Sequence, residues 1–368
     1  MIELKNSKRF LRLLKVPRNL YMHFPFCRGK CAYCALFSRG GVAKEERDQY
    51  ALKMASALER IIESGVGQVF STVYFGGGTP TLCDLGKVFE RLSPLLLPDA
   101  EVSVELHPLD VNDELLSFLR AGGVNRVSMG VQSLDDATLA DMRRGYTFEQ
   151  AAEAFKRVKA FFDNAGIDLI VGYPPPQGAK KWDIEKIASW GARHCSVYSL
   201  QLEKGTTLAE RVGGDKKLIL PSDDEMMDAL RQIDKSLSAM GFERYEISNW
   251  AQKGFECRHN CAVWRGEDYL GLGEGAYGRR GLMRTRNAWG LDAEDSGVVE
   301  TLSPETDRTE RLLFRLRTRE GIDIAERPEC KRALDRFVEE GLVSLSGRNY
   351  RLTSRGMEVC DSVLLELI

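Results

Sequence analysis

The chain is 368 residues long, with 52 lysines and arginines against 54 aspartates and glutamates and a formal net charge of −2. That length accommodates two or three domains with sizeable cores, and the near-neutral balance leaves no global basic field to recruit nucleic acid. No apolar run approaches the ~20 residues of a membrane span; an odd count of nine cysteines with no export signal points to reduced thiols in the cytoplasm, where a tight cysteine cluster serves a metal or catalysis.

Within residues 1–19, Lys5, Lys8, Arg9, Arg12, Lys15 and Arg18 interrupt the leucines. A signal peptide needs an apolar core there, so this basic segment reads as a solvated face, with peripheral contact to an anionic membrane surface as the alternative. The first apolar run, "LYMHFPF" (20–26), leads into "CRGKCAYC", which sets Cys27, Cys31 and Cys34 in the spacing C-x3-C-x2-C. Structural zinc takes four ligands in two pairs, and the next cysteine downstream is Cys83. A disulfide strands the third thiol. A 4Fe–4S cluster normally takes four cysteines; three leave one iron open, and an open coordination site is where a ligand binds.

Five further apolar runs follow: "VFSTVYF" (69–75), "EVSVEL" (101–106), "NRVSMGV" (125–131), "IDLIVGY" (167–173) and "CSVYSLQL" (195–202). Helical patterns separate them, among them 44–65 and 148–166. Alternating strands and helices predict a parallel sheet with right-handed crossovers, and six units predict an α/β fold with a partial (β/α)6 barrel, an open doubly wound sheet being the alternative. The polar motifs fall where strands end: the cysteine loop, "GGGTP" (76–80), Glu105 and His107, Gln132, then Asp168 and "GYPPPQ". In a parallel barrel that end holds the active site. Bare glycine backbone can approach a ligand closely, although three glycines also make an ordinary tight turn. Residues 223–241 read as a helix and "RYEIS" as a strand. From Glu305 onward, two helices and a two-strand wing around Gly347 read as a small winged-helix-like α+β module. Such modules can read DNA; capping of the barrel mouth, which a family resemblance implies, is the preferred reading. The expected organisation is a basic segment at 1–19, a barrel core at 20–222, a capping extension carrying "ECRHN" at 223–300, and the winged-helix-like domain at 301–368.

The chain resembles the radical S-adenosylmethionine (SAM) superfamily in its C-x3-C-x2-C after a first strand and "GGGTP" after a second. More finely, "HFPFCRGKCAYC", "FGGGTPT", "NRVSMGVQSLDDATL", "YEISNWAQKGFECRHN" and "DYLGLGEGAYG" resemble the heme chaperone HemW subfamily and its relative, oxygen-independent coproporphyrinogen III oxidase. The resemblance implies that Cys27, Cys31 and Cys34 ligate a 4Fe–4S cluster whose open iron binds SAM. It implies that Tyr21 and Tyr33 flank the cluster and SAM, that Gly77, Gly78 and Thr79 contact the methionine part, and that Glu105 also holds the nucleoside. Gln132, Arg144 and Asp168 match a further SAM region; a rim ion pair between Asp168 and Arg144 is the structural alternative.

The oxidase continues its cluster motif with a cysteine where this chain has Leu36, which favours the heme-carrier side. Subfamily members carry H-N-x-x-Y-W, here "HNCAVW", so His259 is a candidate heme ligand, or else a loop-closing residue. Val263, His107, Tyr146 and the proline-rich "GYPPPQ" depart from the subfamily pattern. The expected activity is binding heme on a SAM- and cluster-bearing scaffold and passing it to an acceptor apoprotein. A flavodoxin or ferredoxin is the electron donor such a scaffold would use, and heme propionates are a second contact for the basic N-terminus. The alternative is a radical enzyme acting on a tetrapyrrole.

Overall fold

The computed structural model describes residues 16–65, 67–174, 184–214, 218–290 and 297–368; the basic segment up to Lys15 and the end of "GYPPPQ" from Pro175 lie outside them. The six expected strands are present: β1 Asn19–Phe24, β2 Phe70–Gly77, β3 Leu96–Leu106, β4 Arg126–Gln132, β5 Ala165–Val171 and β6 His194–Ser199. Each pairs in parallel with the next in chain order. Between them run α1 Lys44–Glu63, α2 Gly86–Leu92, α3 Asp113–Ala121, α4 Asp136–Asp141 and α5 Phe148–Phe161. The start of α5 is set by a capping box: Thr147 accepts from the backbone N–H of Gln150, whose side chain returns the bond.

Strand alternation divides outside from inside. On β1 the fully buried Leu20, Met22 and Phe24 pack outward against Tyr50, Ala51, Met54 and Leu58 of α1. The other face carries Asn19, Tyr21 and His23, beside Thr72 and Tyr74 of β2 and Glu101, Ser103 and Glu105 of β3. The barrel interior is therefore polar. Its curvature brings Asp168 of β5 within electrostatic reach of Glu105 on β3 and Tyr74 on β2.

Beyond β6 come α6 Thr207–Gly213 and α7 Asp223–Ala239, then β7 Glu243–Glu246 and β8 Asn249–Ala251; β8 pairs antiparallel with β6, and β7 pairs antiparallel with β8 at the sheet edge. After α8 Arg258–Trp264, strand β9 Tyr269–Leu272 adds a parallel strand on the free edge of β1. The sequence pattern does not reveal β9 because Gly271 breaks the alternation. Gly271 is needed: a Cβ there would run into the carbonyl of Tyr277 on the antiparallel neighbour β10 Tyr277–Arg280. Strands β11 Met283–Arg286 and β12 Val298–Thr301 complete the twelve-stranded sheet.

The C-terminal part follows the winged pattern: α9 Pro304–Leu316, β13 Ile322–Asp323, α10 Lys331–Glu339, and a hairpin of β14 Val343–Ser346 and β15 Asn349–Leu352 turning at Gly347, whose φ is 62°. Two short helices, α11 Ser354–Glu358 and α12 Cys360–Leu365, close it. Leu312, Leu316, Leu334, Phe337, Tyr350 and Leu352 form its own apolar core. No helix among the described residues is long and apolar enough to cross a membrane.

Candidate functional site

Phe26 and Cys27 pair in parallel with Arg39 and Gly40 and so close the cysteine loop at its base. The Arg39 N–H donates to the Pro25 carbonyl at 2.6 Å, and Lys30 Nζ ties the far side to the Leu36 carbonyl at 2.6 Å and Ser38 Oγ at 2.8 Å. The loop is moored to the barrel rim where the Ala32 N–H reaches the Met142 carbonyl at 3.2 Å. Cys27, Cys31 and Cys34 are all half-buried and free. Burial pushes the Cys27 and Cys34 thiols up; Cys27 also feels Cys31 and Cys34, and Cys34 feels Cys31. Arg144 Nη1 donates to Cys31 Sγ at 3.2 Å. Among the described residues no group of three or more His, Cys, Asp or Glu closes around a single metal ion. The donor set instead fits an iron–sulfur cluster: three soft thiols on one loop, each for a separate iron, with a cation beside one sulfur and no fourth thiol on that loop.

The glycine turn packs directly beneath this loop. Its Gly78 and Thr79 N–H groups donate to the Phe24 and Phe26 carbonyls at 2.9 and 2.7 Å. A Cβ on Gly78 would strike the Phe26 carbonyl and lie 2.9 Å from Cys27 Sγ; one on Gly77 would lie 2.8–2.9 Å from the His23 ring. Gly77 also has φ of 116°, a conformation L side chains avoid. Glu105 joins the turn to β3, accepting from the Gly77 N–H at 3.1 Å and the Tyr74 hydroxyl at 3.1 Å.

Burial, reinforced by Asp168, pushes the Glu105 carboxyl up to about 8. An acid whose pKa is raised on folding stays protonated while the unfolded chain ionises. Its contribution to stability is therefore lost as pH rises from about 4.5 towards about 8. Histidines held neutral in the folded protein take up protons only in the unfolded chain over part of the same range, so wild type alone does not isolate the effect. Subtraction does. Relative to wild type, Glu105→Gln should gain unfolding free energy between about pH 5 and about pH 8 in urea titrations; a pH-independent difference would place an ionised carboxylate in the folded barrel.

The remaining sequence-identified residues lie at or just below this rim. Gln132 ends β4 with φ of 68°, rare for a side-chain-bearing residue and a form of strain that collects at functional sites. Arg144 spends its fork on the Tyr146 hydroxyl at 2.9 Å, the Gly130 carbonyl at 2.9 Å and Cys31. Asp168 accepts from Ser128 Oγ at 2.9 Å. Its ion pair with Arg144 does not form, because Arg144 is committed to the cysteine loop and the end of β4. Tyr33 meets Tyr173 edge-on, and Tyr21 sits one layer down, bonded to His23 Nδ1 at 2.9 Å. His107 caps a short turn through its Nδ1, accepting from the Leu109 N–H at 3.3 Å. Burial first, then Arg144 and Arg28, holds it neutral with a pKa lowered to about 3.

His259 stands apart. It lies at the opposite, N-terminal end of the barrel, bonded through Nδ1 to Thr72 Oγ1 at 2.9 Å and ringed by Tyr21, Tyr74 and Tyr269. Glu101 caps its helix, accepting the Arg258 and His259 N–H groups at 3.2 Å each. The ring is 4% exposed and its pKa is lowered to about 3 by burial and by Arg126. It does not line the cavity of about 440 Å³ that Cys261, Trp264 and Arg265 border nearby. The geometry favours the loop-closing, floor-plugging role. His259→Ala should therefore cost about 2–4 kcal/mol in chemical unfolding, from lost packing and the lost hydrogen bond to Thr72, whose hydroxyl keeps its bond to Asn19; an unchanged midpoint would show the plug to be dispensable. Sequence reading did not single out the groups that complete this floor, Glu101, Tyr74 and the fully buried Arg126, because polar residues inside a strand look like solvent-facing positions.

Comparison with known proteins agrees with the geometry. The radical SAM superfamily model matches residues 21–189, and the HemN C-terminal domain model matches residues 302–359. The chain is 34% identical to the heme chaperone HemW of Mycobacterium tuberculosis, over 96% of this chain and 95% of that protein. It is 30% identical to HemW of Lactococcus lactis, over 95% and 97%. It is also 30% identical to the mitochondrial radical S-adenosyl methionine domain-containing protein 1 of Bos taurus, over 95% and 87%. Coproporphyrinogen III oxidase (HemN) from Escherichia coli superposes with a TM-score of 0.78 at 20% identity, over 97% of this chain and 92% of that one, which establishes a shared fold. With a cysteine loop, glycine turn and C-terminal module of this kind, and kinship over nearly its whole length, the chain belongs to the radical SAM family that includes the heme chaperone HemW.

Proposed function

We propose that the protein is a heme chaperone: it binds heme on a scaffold that also holds a 4Fe–4S cluster and SAM, and delivers the heme to an acceptor apoprotein. The observation that carries this reading is the near full-length similarity to proteins named heme chaperone HemW. Leu36 agrees with it. This residue, 60% exposed beside Cys34, offers neither a thiol nor a hydrogen-bonding group where the oxidase has a cysteine.

In this reading Cys27, Cys31 and Cys34 hold the cluster. Bound there, such a cluster supplies an open iron and an electron. The backbone turn of Gly77, Gly78 and Thr79, whose N–H groups are already bonded, offers its carbonyls to the amino group of SAM, and Glu105 presents a carboxyl to its nucleoside hydroxyls. Arg144 neutralises part of the negative charge that three thiolates bring to the rim. Gln132 and Asp168 line the far side, and Tyr21 and Tyr33 shield the pocket from water.

Anaerobic titration of the cluster-reconstituted protein with heme tests the proposal. It should saturate near one heme per chain and then surrender that heme to an apo-cytochrome added in excess. Absence of a saturable heme complex would overturn the reading.

A further inference from the structure

A cleft of about 1150 Å³ opens at the barrel mouth between the cysteine loop, the end of β6, α7 and the C-terminal α11–α12 pair. It is larger than the ~300–1,000 Å³ of ordinary small-molecule pockets. Tyr33, Cys34 and Leu36 form one wall, so its occupant sits next to the cluster loop; Tyr198 and Met227 supply apolar surface. None of the chain's four histidines lines it.

Helix α7 presents a stripe to this cleft at helical spacing: Met227, Leu230, Arg231, Asp234 and Lys235. From Met227 to Lys235 the stripe runs about 12 Å, the scale of a porphyrin with one carboxylate arm. Met226, beside it, packs against the barrel core, whereas Met227 belongs to none of the apolar cores. A half-buried thioether left facing a cleft is a soft ligand without a packing duty. Two of the acids on this surface are already engaged: Glu358 by a two-pronged bond from Arg231 at 2.8 and 3.0 Å, and Asp234 by Trp250 Nε1 at 2.7 Å. Asp361, largely exposed, lies 3.3 Å from Arg317. Two cations keep donors to spare. Lys235 makes no hydrogen bond or ion pair among the described residues, and Arg317 makes a single one there, from Nη1 to Asp361 at 3.3 Å.

We infer that this cleft is the heme seat, with the Met227 sulfur facing the iron and with Lys235 and Arg317 receiving the two carboxylates. The inference rests on the heme-carrier reading and relocates its site: the ligand is a thioether at the barrel mouth, not the imidazole of His259 at the floor. It also places heme beside the cluster loop, where binding of SAM and heme would influence one another.

The test is heme titration of the full-length, cluster-reconstituted protein, followed by its Soret and far-red absorption. Met227→Leu keeps the volume and removes the sulfur; it should shift the Soret band and weaken binding about tenfold or more. Lys235→Glu, on an exposed position, should weaken binding about tenfold with the Soret position unchanged, the effect of losing one charge-assisted hydrogen bond. His259→Ala, compared at a denaturant-free temperature where it remains folded by circular dichroism, should leave the Soret position unchanged. If wild type binds heme but Met227→Leu and Lys235→Glu match it, the cleft is not the seat. A Soret shift in His259→Ala alone would return the ligand to the floor. No binding by wild type would instead overturn the heme-carrier reading itself.

Discussion

Alanine at any one of Cys27, Cys31 and Cys34 should abolish assembly of the iron–sulfur cluster. Each thiol is one of three on a loop that offers no spare sulfur. The remaining cysteines lie elsewhere: Cys83 and Cys195 in the barrel core, Cys330 and Cys360 in the C-terminal core, Cys257 and Cys261 at the barrel floor. None is placed to substitute. After anaerobic reconstitution, wild type should carry about four irons per chain with thiolate-to-iron absorption in the visible, and each variant should carry neither. Alanine at Cys83 should leave iron content intact, since this thiol, buried and raised to about 12, behaves as a small apolar group. Full iron loading in all three loop variants would show that the loop does not hold the cluster.

Gly78→Val should also remove most of the cluster, although it touches no ligand chemistry. The Cβ position is already taken by the Phe26 carbonyl and approaches Cys27 Sγ to 2.9 Å. Both loops are held by backbone bonds from Gly78 and Thr79 to β1 and its extension, so neither can retreat cheaply. Overpacking of this kind costs about 1–3 kcal/mol, and the give falls on the side chain that must bind iron. Gly77→Val acts differently. Its side chain would press on His23 and demand a left-handed backbone, so it should lower stability and disturb the turn as a whole. Weakened SAM binding in Gly77→Val alone therefore does not separate steric blocking from misfolding, whereas iron content in Gly78→Val reads the contact directly. Normal iron loading of Gly78→Val would show that the two loops stand farther apart.

The parts of this fold legible in the sequence are those with local signatures. Six apolar runs mark the parallel strands, because each buries one face against helices such as α1. The cysteine spacing and triple glycine mark the mouth. What the sequence conceals depends on three-dimensional closure. Strand β9 hides behind the glycines that let β10 approach it. Glu101 and His259, 158 positions apart, meet only when α8 enters the floor. Arg144 matches a motif position, but its partners are set by the route of the cysteine loop, and that route, not the sequence, excludes an ion pair with Asp168. Met227 carries no motif at all. Its significance comes from the neighbouring Met226 filling the core and leaving it to face the cleft.

The fold itself is shared with an oxidase, so the central claim concerns which chemistry this barrel supports. Leu36 at the mouth and similarity to heme chaperones point to carriage of heme. The most direct measurement supplies the reconstituted protein with SAM, a strong reductant and coproporphyrinogen, and in parallel with heme and an apo-cytochrome, under strict anaerobiosis. The account predicts that coproporphyrinogen is recovered unchanged while the apo-cytochrome acquires heme in proportion to the heme-loaded protein. Sustained conversion of coproporphyrinogen to protoporphyrinogen, without heme transfer, would contradict it.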